Sequence, residues 1–148
     1  MMRKYVVLPV ILLAAFQLHR PERANPPADP ARAVEARMEV PPDIRALLDR
    51  SCADCHSNRT TWPWYSRVAP VSWLVAGHVR EAREHLNFSD WPGRHDAEHL
   101  LEEICEEVEK GAMPLASYRV LHPSAKLSPA ERQAICGWTR SAAAPPAR

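Results

Sequence analysis

The sequence predicts an all-α protein in which short helices are joined by proline-rich loops. Apolar side chains recur with helical spacing in several segments, and no segment has the alternation of apolar and polar residues typical of a half-buried strand. The chain has 15 prolines in 148 residues, at least twice the average share of roughly 5%. Its apolar fraction of 46% is normal for a globular domain. We therefore expect one small helical domain with a high share of loop.

The charge balance and the glycine content exclude two classes of function. The chain has 19 Lys and Arg against 18 Asp and Glu, for a formal charge of +1. A general nucleic-acid binder would have a basic excess or a basic stripe, so we expect no nucleic-acid partner. With only 4 glycines there is no G-x-x-x-x-G-K or G-x-G-x-x-G string, which excludes the common phosphate-binding loops.

Residues 1–18 have the layout of an export signal. Arg3 and Lys4 form a short basic head, and residues 5–18 are uncharged and mostly apolar. This run of 14 residues is shorter than the roughly 20 that a membrane-spanning helix needs. Because no clean small-x-small cleavage site follows it, both a cleaved signal peptide and an uncleaved membrane anchor remain open, and an uncleaved segment would make the membrane a partner. A buried helix of a cytosolic protein is the third alternative.

Residues 19–40 are predicted to be an extended, semi-rigid tether. The segment contains Pro21, Pro26, Pro27 and Pro30 and few large apolar residues. A short helix fits residues 31–38. We expect the folded domain to cover residues 41–142 and residues 143–148 to form a disordered tail.

Two helices are predicted in the first half of the folded domain. Apolar and small residues recur over residues 42–52 with the period of an amphipathic helix, and Asp43 lies favourably near its start. A second helix fits residues 71–86. The segment between them, residues 57–70, is predicted to be a loop.

Two further helices follow in the second half. Residues 96–110 place apolar side chains on one face and glutamates on the other, and Gly111 ends the helix. Ser128, Pro129 and Glu131 form a capping box with proline at the first helical position, which predicts a helix that runs through Trp138.

The string Cys52-Ala53-Asp54-Cys55-His56 is the strongest chemical signal in the sequence. C-x-x-C-H is the attachment motif of c-type haem. Two cysteines three residues apart can form thioethers to the two vinyl groups of one porphyrin, and the adjacent His56 can then ligate the iron. An export signal agrees with this interpretation, since bacteria attach haem covalently outside the cytoplasm. The sequence thus predicts one covalently bound haem c and a periplasmic location, either anchored to the inner membrane or secreted.

Two other interpretations of this motif are weaker. Half of a zinc site would need two further ligands, and no second C-x-x-C is present to supply them. A thioredoxin-like redox pair normally lies in a βαβ unit, and the sequence contains no sign of one.

The second axial ligand of the iron has three candidates. Met113 follows Gly111 and precedes Pro114, and a methionine paired with histidine raises the reduction potential, as in electron-transfer cytochromes. The alternatives are His78 and His85, which lie seven residues apart on one face of the second predicted helix. A core-filling role remains open for the methionine.

Aromatic residues and a cysteine pair complete the expected site and its scaffold. Trp62, Trp64 and Tyr65 come soon after His56 and are candidates for the wall of the haem pocket. Cys105 and Cys136 lie on the third and fourth predicted helices. In an exported protein two remaining cysteines are usually paired, so a disulfide is the expectation and two buried thiols are the alternative.

Residues 41–140 resemble a small bacterial haem-binding domain family of c-type cytochromes. The resemblance rests on CADCHSN at 52–58, WPWY at 62–65, VAPVSW at 68–73, LNFSDW at 86–91, GAMPL at 111–115 and LHP at 121–123. It implies a monohaem domain held outside the cytoplasm, with Cys52, Cys55 and His56 as attachment and proximal-ligand residues. A wider similarity to class I cytochromes c implies a cytochrome c-like helical fold with Met113 as the distal ligand.

These observations favour a single-electron carrier that exchanges electrons with a redox partner protein, and they assign no catalytic residue. The alternative is a haem-based peroxidase, or a gas or redox sensor, with an open or displaceable distal position. His78 with Arg80 or Arg83 could then supply the distal base and cation. A domain of this size has little room for a separate substrate pocket.

Overall fold

A computed structural model describes residues 2–144, apart from the side chains of residues 2–6, 94 and 95. The all-α prediction is confirmed, since the structure is 65% helical and no strand occurs among the described residues. The α-helices are α1 (Met2–Phe16), α2 (Val34–Arg37), α3 (Pro42–Ser51), α4 (Ala53–His56), α5 (Val71–His85), α6 (Arg94–Glu109), α7 (Ala116–Leu121) and α8 (Pro129–Ala143). Short 3₁₀ turns occur at Pro30–Arg32, Trp64–Arg67 and Pro123–Ala125. From residue 145 onward the predicted tail lies outside the described residues.

The hydrophobic core lies where α6 packs against α8 and where α3 contacts α8. Leu101 and Val108 of α6 and Ile135 of α8 are buried there, and α3 adds Leu48. The indole N–H of Trp138 in α8 donates to the carbonyl of Glu39 at 3.1 Å, which satisfies the polar atom of this buried ring. This three-helix core holds the end of α3, and therefore the start of the C-x-x-C-H motif, in a fixed place.

The core extends beyond the predicted start of the domain. Val34 of α2 is only 2% exposed and belongs to the main hydrophobic cluster. Its backbone N–H donates to the carbonyl of Phe88 at 2.9 Å. The packed unit thus includes a residue of the segment predicted to be a tether.

Residues 17–27 lie along the domain and form a strap held by hydrogen bonds. The side chain of Gln17 both donates to and accepts from the backbone of Ala69, at 3.2 and 3.0 Å. Trp73 donates to the carbonyl of His19 at 2.9 Å. Arg83 donates to the carbonyl of Ala24 at 3.0 Å. Extended, proline-rich chain leaves its carbonyls free, and these tryptophan and arginine donors satisfy them.

Helix α1 carries exposed apolar side chains along the part whose side chains are described. None of the helices in the described part of the chain has both the length and the apolar character to cross a membrane. The structure therefore gives no support to the expected anchor helix.

The capping box predicted for the fourth helix is present at the start of α8. Ser128 Oγ accepts from the backbone N–H of Glu131 at 3.3 Å, and the Glu131 carboxylate accepts from the backbone N–H of Ser128 at 2.7 Å. Arg50 of α3 also contacts this carboxylate, at 2.9 Å. The backbone bond from Ser128, followed by the bond from Arg50, lowers the pKa of Glu131 to about 2.

This carboxylate is expected to make the free energy of unfolding depend on pH in the acid range. A carboxyl group whose pKa is lower in the folded than in the unfolded chain stabilises the folded state. This contribution is complete at pH values above 4.5, the pKa in the unfolded chain, and is lost as the pH falls toward 2. The urea midpoint of the wild type should therefore fall more steeply between pH 5 and pH 3 than that of Glu131→Gln. Glu102→Gln, a change at an exposed position of α6, should keep the wild-type slope. Equal slopes for wild type and Glu131→Gln would contradict this role of the capping carboxylate.

Candidate functional site

The C-x-x-C-H motif forms a tight turn between two helices. Cys52 ends α3 and begins α4, and its carbonyl accepts from the backbone N–H groups of Cys55 at 3.1 Å and His56 at 2.9 Å. Just after the motif, Ser57 Oγ donates to the carbonyl of Ala53 at 2.7 Å. We call residues 52–56 the attachment turn. Its two cysteines and its histidine all line one cavity of about 370 Å³.

The imidazole of His56 is oriented by backbone carbonyls of α5 and the residue after it. Its Nδ1 lies 3.1 Å from both the Ala82 and the Leu86 carbonyl oxygens. Since a carbonyl only accepts, Nδ1 carries the proton and Nε2 keeps its lone pair. Burial lowers the pKa of His56, and the two carbonyl contacts offset this only in part. The side chain is thus a neutral imidazole with Nε2 free, which is the form that binds a metal.

Both cysteines of the attachment turn are free thiols in the structure. Burial, then the neighbouring Cys55, raises the pKa of Cys52 to about 12. Burial, then the charge of Asp54, raises the pKa of Cys55 to about 11. A catalytic redox pair needs a low thiol pKa, which stabilises the thiolate. This environment therefore disfavours the thioredoxin-like interpretation.

The segment after α6 brings Met113 to the same cavity. Gly111 has a φ of +71°, a left-handed conformation that suits glycine and turns the chain away from the helix. The Met113 backbone N–H then donates to the carbonyl of Glu107 at 3.1 Å. Met113 and Pro114 line the cavity of about 370 Å³ and an adjoining, mostly apolar one of about 90 Å³, and both cavities also contain Cys52 and His56.

The two alternative histidines also reach this region. His78 lines the cavity of about 370 Å³ and a neighbouring one of about 180 Å³. His85 lines the cavity as well, but its Nε2 lies 3.1 Å from Glu103 Oε2 and its side chain is 68% exposed. All three candidate second ligands thus line the cavity of about 370 Å³, and the Glu103 carboxylate already contacts His85.

Comparison with known proteins identifies the family. A family model described as haem-binding domain matches residues 11–141. The chain belongs to the haem-binding domain family. A glutamate receptor 3.2 from Arabidopsis thaliana is 27% identical over 89 residues, which are 56% of this chain and 10% of that protein. The chain thus spans about a tenth of the length of this curated relative. This similarity assigns no function to the chain. No solved structure matches the chain.

The residues around the cavity fit a haem. Two free thiols and a histidine with an available Nε2 line the same cavity, which is the set of groups that covalent attachment and iron ligation would need. The adjoining cavity is lined by apolar side chains such as Leu86, Phe88 and Ile104, which suit the flat apolar face of a porphyrin. Ser51 Oγ is buried beside both cavities without a hydrogen-bond partner among the described residues.

The predicted aromatic wall is only partly at this site. Tyr65 lines the cavity of about 180 Å³ together with Cys55 and His78. Trp62 instead lines a cavity of about 570 Å³ that the strap forms with α5. Trp64 is 77% exposed and contacts the edge of Tyr65, with ring centroids 5.9 Å apart. The short sequence distance from His56 does not bring these tryptophans to the cavity of about 370 Å³, because the loop places Trp62 against the strap and Trp64 in the solvent.

Sequence reasoning assigned no role to Tyr118 or Asp54. Tyr118 lines the cavities of about 370 and 180 Å³, and its hydroxyl donates to Asp54 Oδ2 at 2.7 Å. The two residues lie 64 positions apart, and Tyr118 lies on the six-residue helix α7. A helix of six residues is too short to show a periodic pattern of apolar residues. No local sequence pattern could therefore have linked Tyr118 to Asp54.

Proposed function

We propose that this haem-binding domain is an exported monohaem c-type cytochrome that transfers single electrons. The observation that carries the proposal is the convergence of Cys52, Cys55, His56 and Met113 on one cavity, with His56 Nε2 left free. A helical arrangement of the cytochrome c type, with one haem in this cavity, is part of the proposal.

Each of these residues has a defined task in the proposal. Cys52 and Cys55 would hold the haem through two thioethers, each formed by addition of a thiol S–H across one vinyl group. His56 Nε2 and the Met113 sulfur would ligate the iron. The bound haem supplies a one-electron couple at iron, and His–Met ligation raises its reduction potential. The apolar side chains of the adjoining cavity limit access of water.

Electron exchange with a redox partner protein is proposed at the apolar rim of the site. Leu74 and Leu121 are 55% and 56% exposed. They line the cavity of about 180 Å³ together with Cys55. A partner that contacts this rim would approach the haem edge without entering a deep pocket.

Export to the periplasm is supported by the disulfide and the signal-like N-terminus. The structure pairs Cys105 of α6 with Cys136 of α8 through a disulfide bond. Disulfides persist in oxidising compartments, and the bacterial periplasm is one of them. Residues 1–18 have the basic head and apolar run of an export signal. Covalent haem attachment requires the same location.

The alternative function, a peroxidase or sensor, has less support from the geometry. A peroxidase would need a free cation beside the distal position. Arg83 is already engaged by the carbonyls of Ser57 and Ala24, at 2.8 and 3.0 Å. Arg80 lies on an exposed part of α5 at 4.0 Å from Glu84. These contacts give both arginines structural partners, so we favour the electron carrier.

The Met113→Ala variant tests the carrier proposal. We expect the ferric wild type to show low-spin bands and the weak red charge-transfer band of methionine–iron. Met113→Ala should lose that band and have a lower reduction potential, while its haem stays covalently bound. Met38→Ala is the control, since Met38 packs against the core cluster, and it should keep the band.

Two results would contradict the proposal. An unchanged spectrum in Met113→Ala would remove methionine as the ligand. Peroxide turnover by the wild type at a typical enzyme rate, about 1–10³ s⁻¹, would favour the peroxidase.

A further inference from the structure

Tyr118 joins the attachment turn to residues 111–115, here called the Met113 segment, and both segments line the cavity of about 370 Å³. It lies on α7, which follows the Met113 segment directly, and its hydroxyl donates to Asp54 Oδ2 at 2.7 Å. Asp54 lies inside the attachment turn, between Cys52 and Cys55. This hydrogen bond thus connects the chain just after Met113 with the residues that would hold the haem.

Asp54 is itself fixed within the turn. Its Oδ1 accepts from the backbone N–H of Thr61 at 2.9 Å, and its carbonyl accepts from Thr60 Oγ1 at 2.7 Å. The carboxylate that receives the Tyr118 hydroxyl is therefore a rigid acceptor. A hydrogen bond to it constrains the tyrosine and the helix that carries it.

The ring of Tyr118 is also held in place. It stacks on the ring of His122, with centroids 4.1 Å apart and planes 15° from parallel. Burial, followed by the bond to Asp54, raises the pKa of Tyr118. The hydroxyl therefore keeps its proton and remains a donor across the physiological range.

The Met113 segment is anchored at its other end by the backbone of α6. The Met113 N–H donates to the Glu107 carbonyl at 3.1 Å. Between this bond and the Tyr118 hydroxyl the chain runs only from residue 113 to residue 118. The Tyr118–Asp54 bond thus links this short stretch of chain directly to the attachment turn.

We propose that Tyr118 is a positioning residue that holds the Met113 segment against the attachment turn and so stabilises Met113 on the haem iron. The inference rests on the proposed function, in which Met113 is the distal ligand. Tyr118 acts through the position of Met113 and makes no bond to the metal. Without the bond to Asp54, α7 moves more freely and Met113 dissociates from the iron more often.

The test measures how readily an added ligand replaces Met113 in the full-length, haem-loaded protein. Ferric protein is titrated with imidazole, and loss of the methionine–iron band gives the affinity. Because the lost hydrogen bond is to a charged acceptor, we expect Tyr118→Phe to bind imidazole about tenfold more tightly than the wild type. Ser128→Ala is the control. It removes a hydrogen bond at the start of α8, and Ser128 is not among the residues that line the cavities of about 370 and 180 Å³. This control should stay within about twofold of the wild type.

A double-variant cycle shows whether the effect passes through this one bond. Asp54→Ala removes the acceptor and should also tighten imidazole binding. The combined Asp54→Ala and Tyr118→Phe variant should bind no more tightly than Asp54→Ala alone. If Tyr118→Phe does not fold, Asp54→Ala probes the same bond from the other side.

Three outcomes would overturn the inference. If Tyr118→Phe has wild-type imidazole affinity while the wild type shows the band, Tyr118 does not position Met113 and the proposed function stands. Fully additive effects in the double variant would show that the two residues act independently. A wild type without the band would overturn both this inference and the assignment of Met113.

Discussion

Replacing Cys52 and Cys55 together with serine is expected to abolish covalent haem attachment. The two thiols line the cavity beside His56, and serine hydroxyls do not add to the vinyl groups. When the variant is coexpressed with the c-haem maturation machinery, no haem should remain with the chain after denaturation. Mass spectrometry and haem staining of a denaturing gel measure this directly. Each single serine variant should retain haem through one thioether, at reduced yield.

The other two cysteines provide the control. Cys105→Ala with Cys136→Ala removes the same number of sulfur atoms from a different part of the molecule, and this variant should still carry covalent haem. If the double serine variant at 52 and 55 keeps haem on a denaturing gel, the attachment proposal is wrong.

Removal of the Cys105–Cys136 disulfide is expected to have the largest effect on stability. The bond closes a loop with a sequence separation of 31 and joins α6 to α8, the pair of helices that pack most extensively against each other. For a loop of this length the entropy of the unfolded chain predicts a loss of about 3–4 kcal/mol in the free energy of unfolding. Urea titration of wild type and Cys105→Ala/Cys136→Ala measures it.

Treatment with a reducing agent distinguishes the loss of the disulfide from other effects of the two alanine substitutions. It should lower the urea midpoint of the wild type toward that of the alanine variant and leave the variant unchanged. A difference below about 1 kcal/mol between the unfolding free energies of wild type and variant would contradict this expectation. It would indicate that the unfolded chain is already compact, or that the disulfide carries an unfavourable free energy in the folded state.

The helices were predictable where the sequence carries a long period or a clear cap. The apolar period over residues 96–110 predicted α6, and Ser128 with Glu131 predicted the start of α8. Helices α4 and α7 are four and six residues long, too short for any period to register. The strap over residues 17–27 was missed because its hydrogen bonds come from Trp73 and Arg83, far along the chain.

The candidate site was predictable to the extent that its signals are local. Cys52, Cys55 and His56 lie within five residues, and Gly111 and Pro114 frame Met113, so spacing alone indicated their chemistry. The structure brings the two groups to one cavity. The orientation of His56 depends on carbonyls of residues 82 and 86. The Tyr118–Asp54 bond spans 64 residues. Contacts of this range depend on tertiary packing, which a single sequence does not encode in any local pattern.

The visible absorption spectrum of the mature wild type, oxidised, reduced and then denatured, tests the central claim most directly. The account predicts haem that stays with the denatured chain and, in the native protein, low-spin bands with the weak red band of ferric methionine–iron. Covalent haem without that band would move the distal ligand to His78 or His85. A high-spin spectrum would favour gas binding or peroxide chemistry. Haem that separates from the denatured chain would contradict covalent attachment at Cys52 and Cys55.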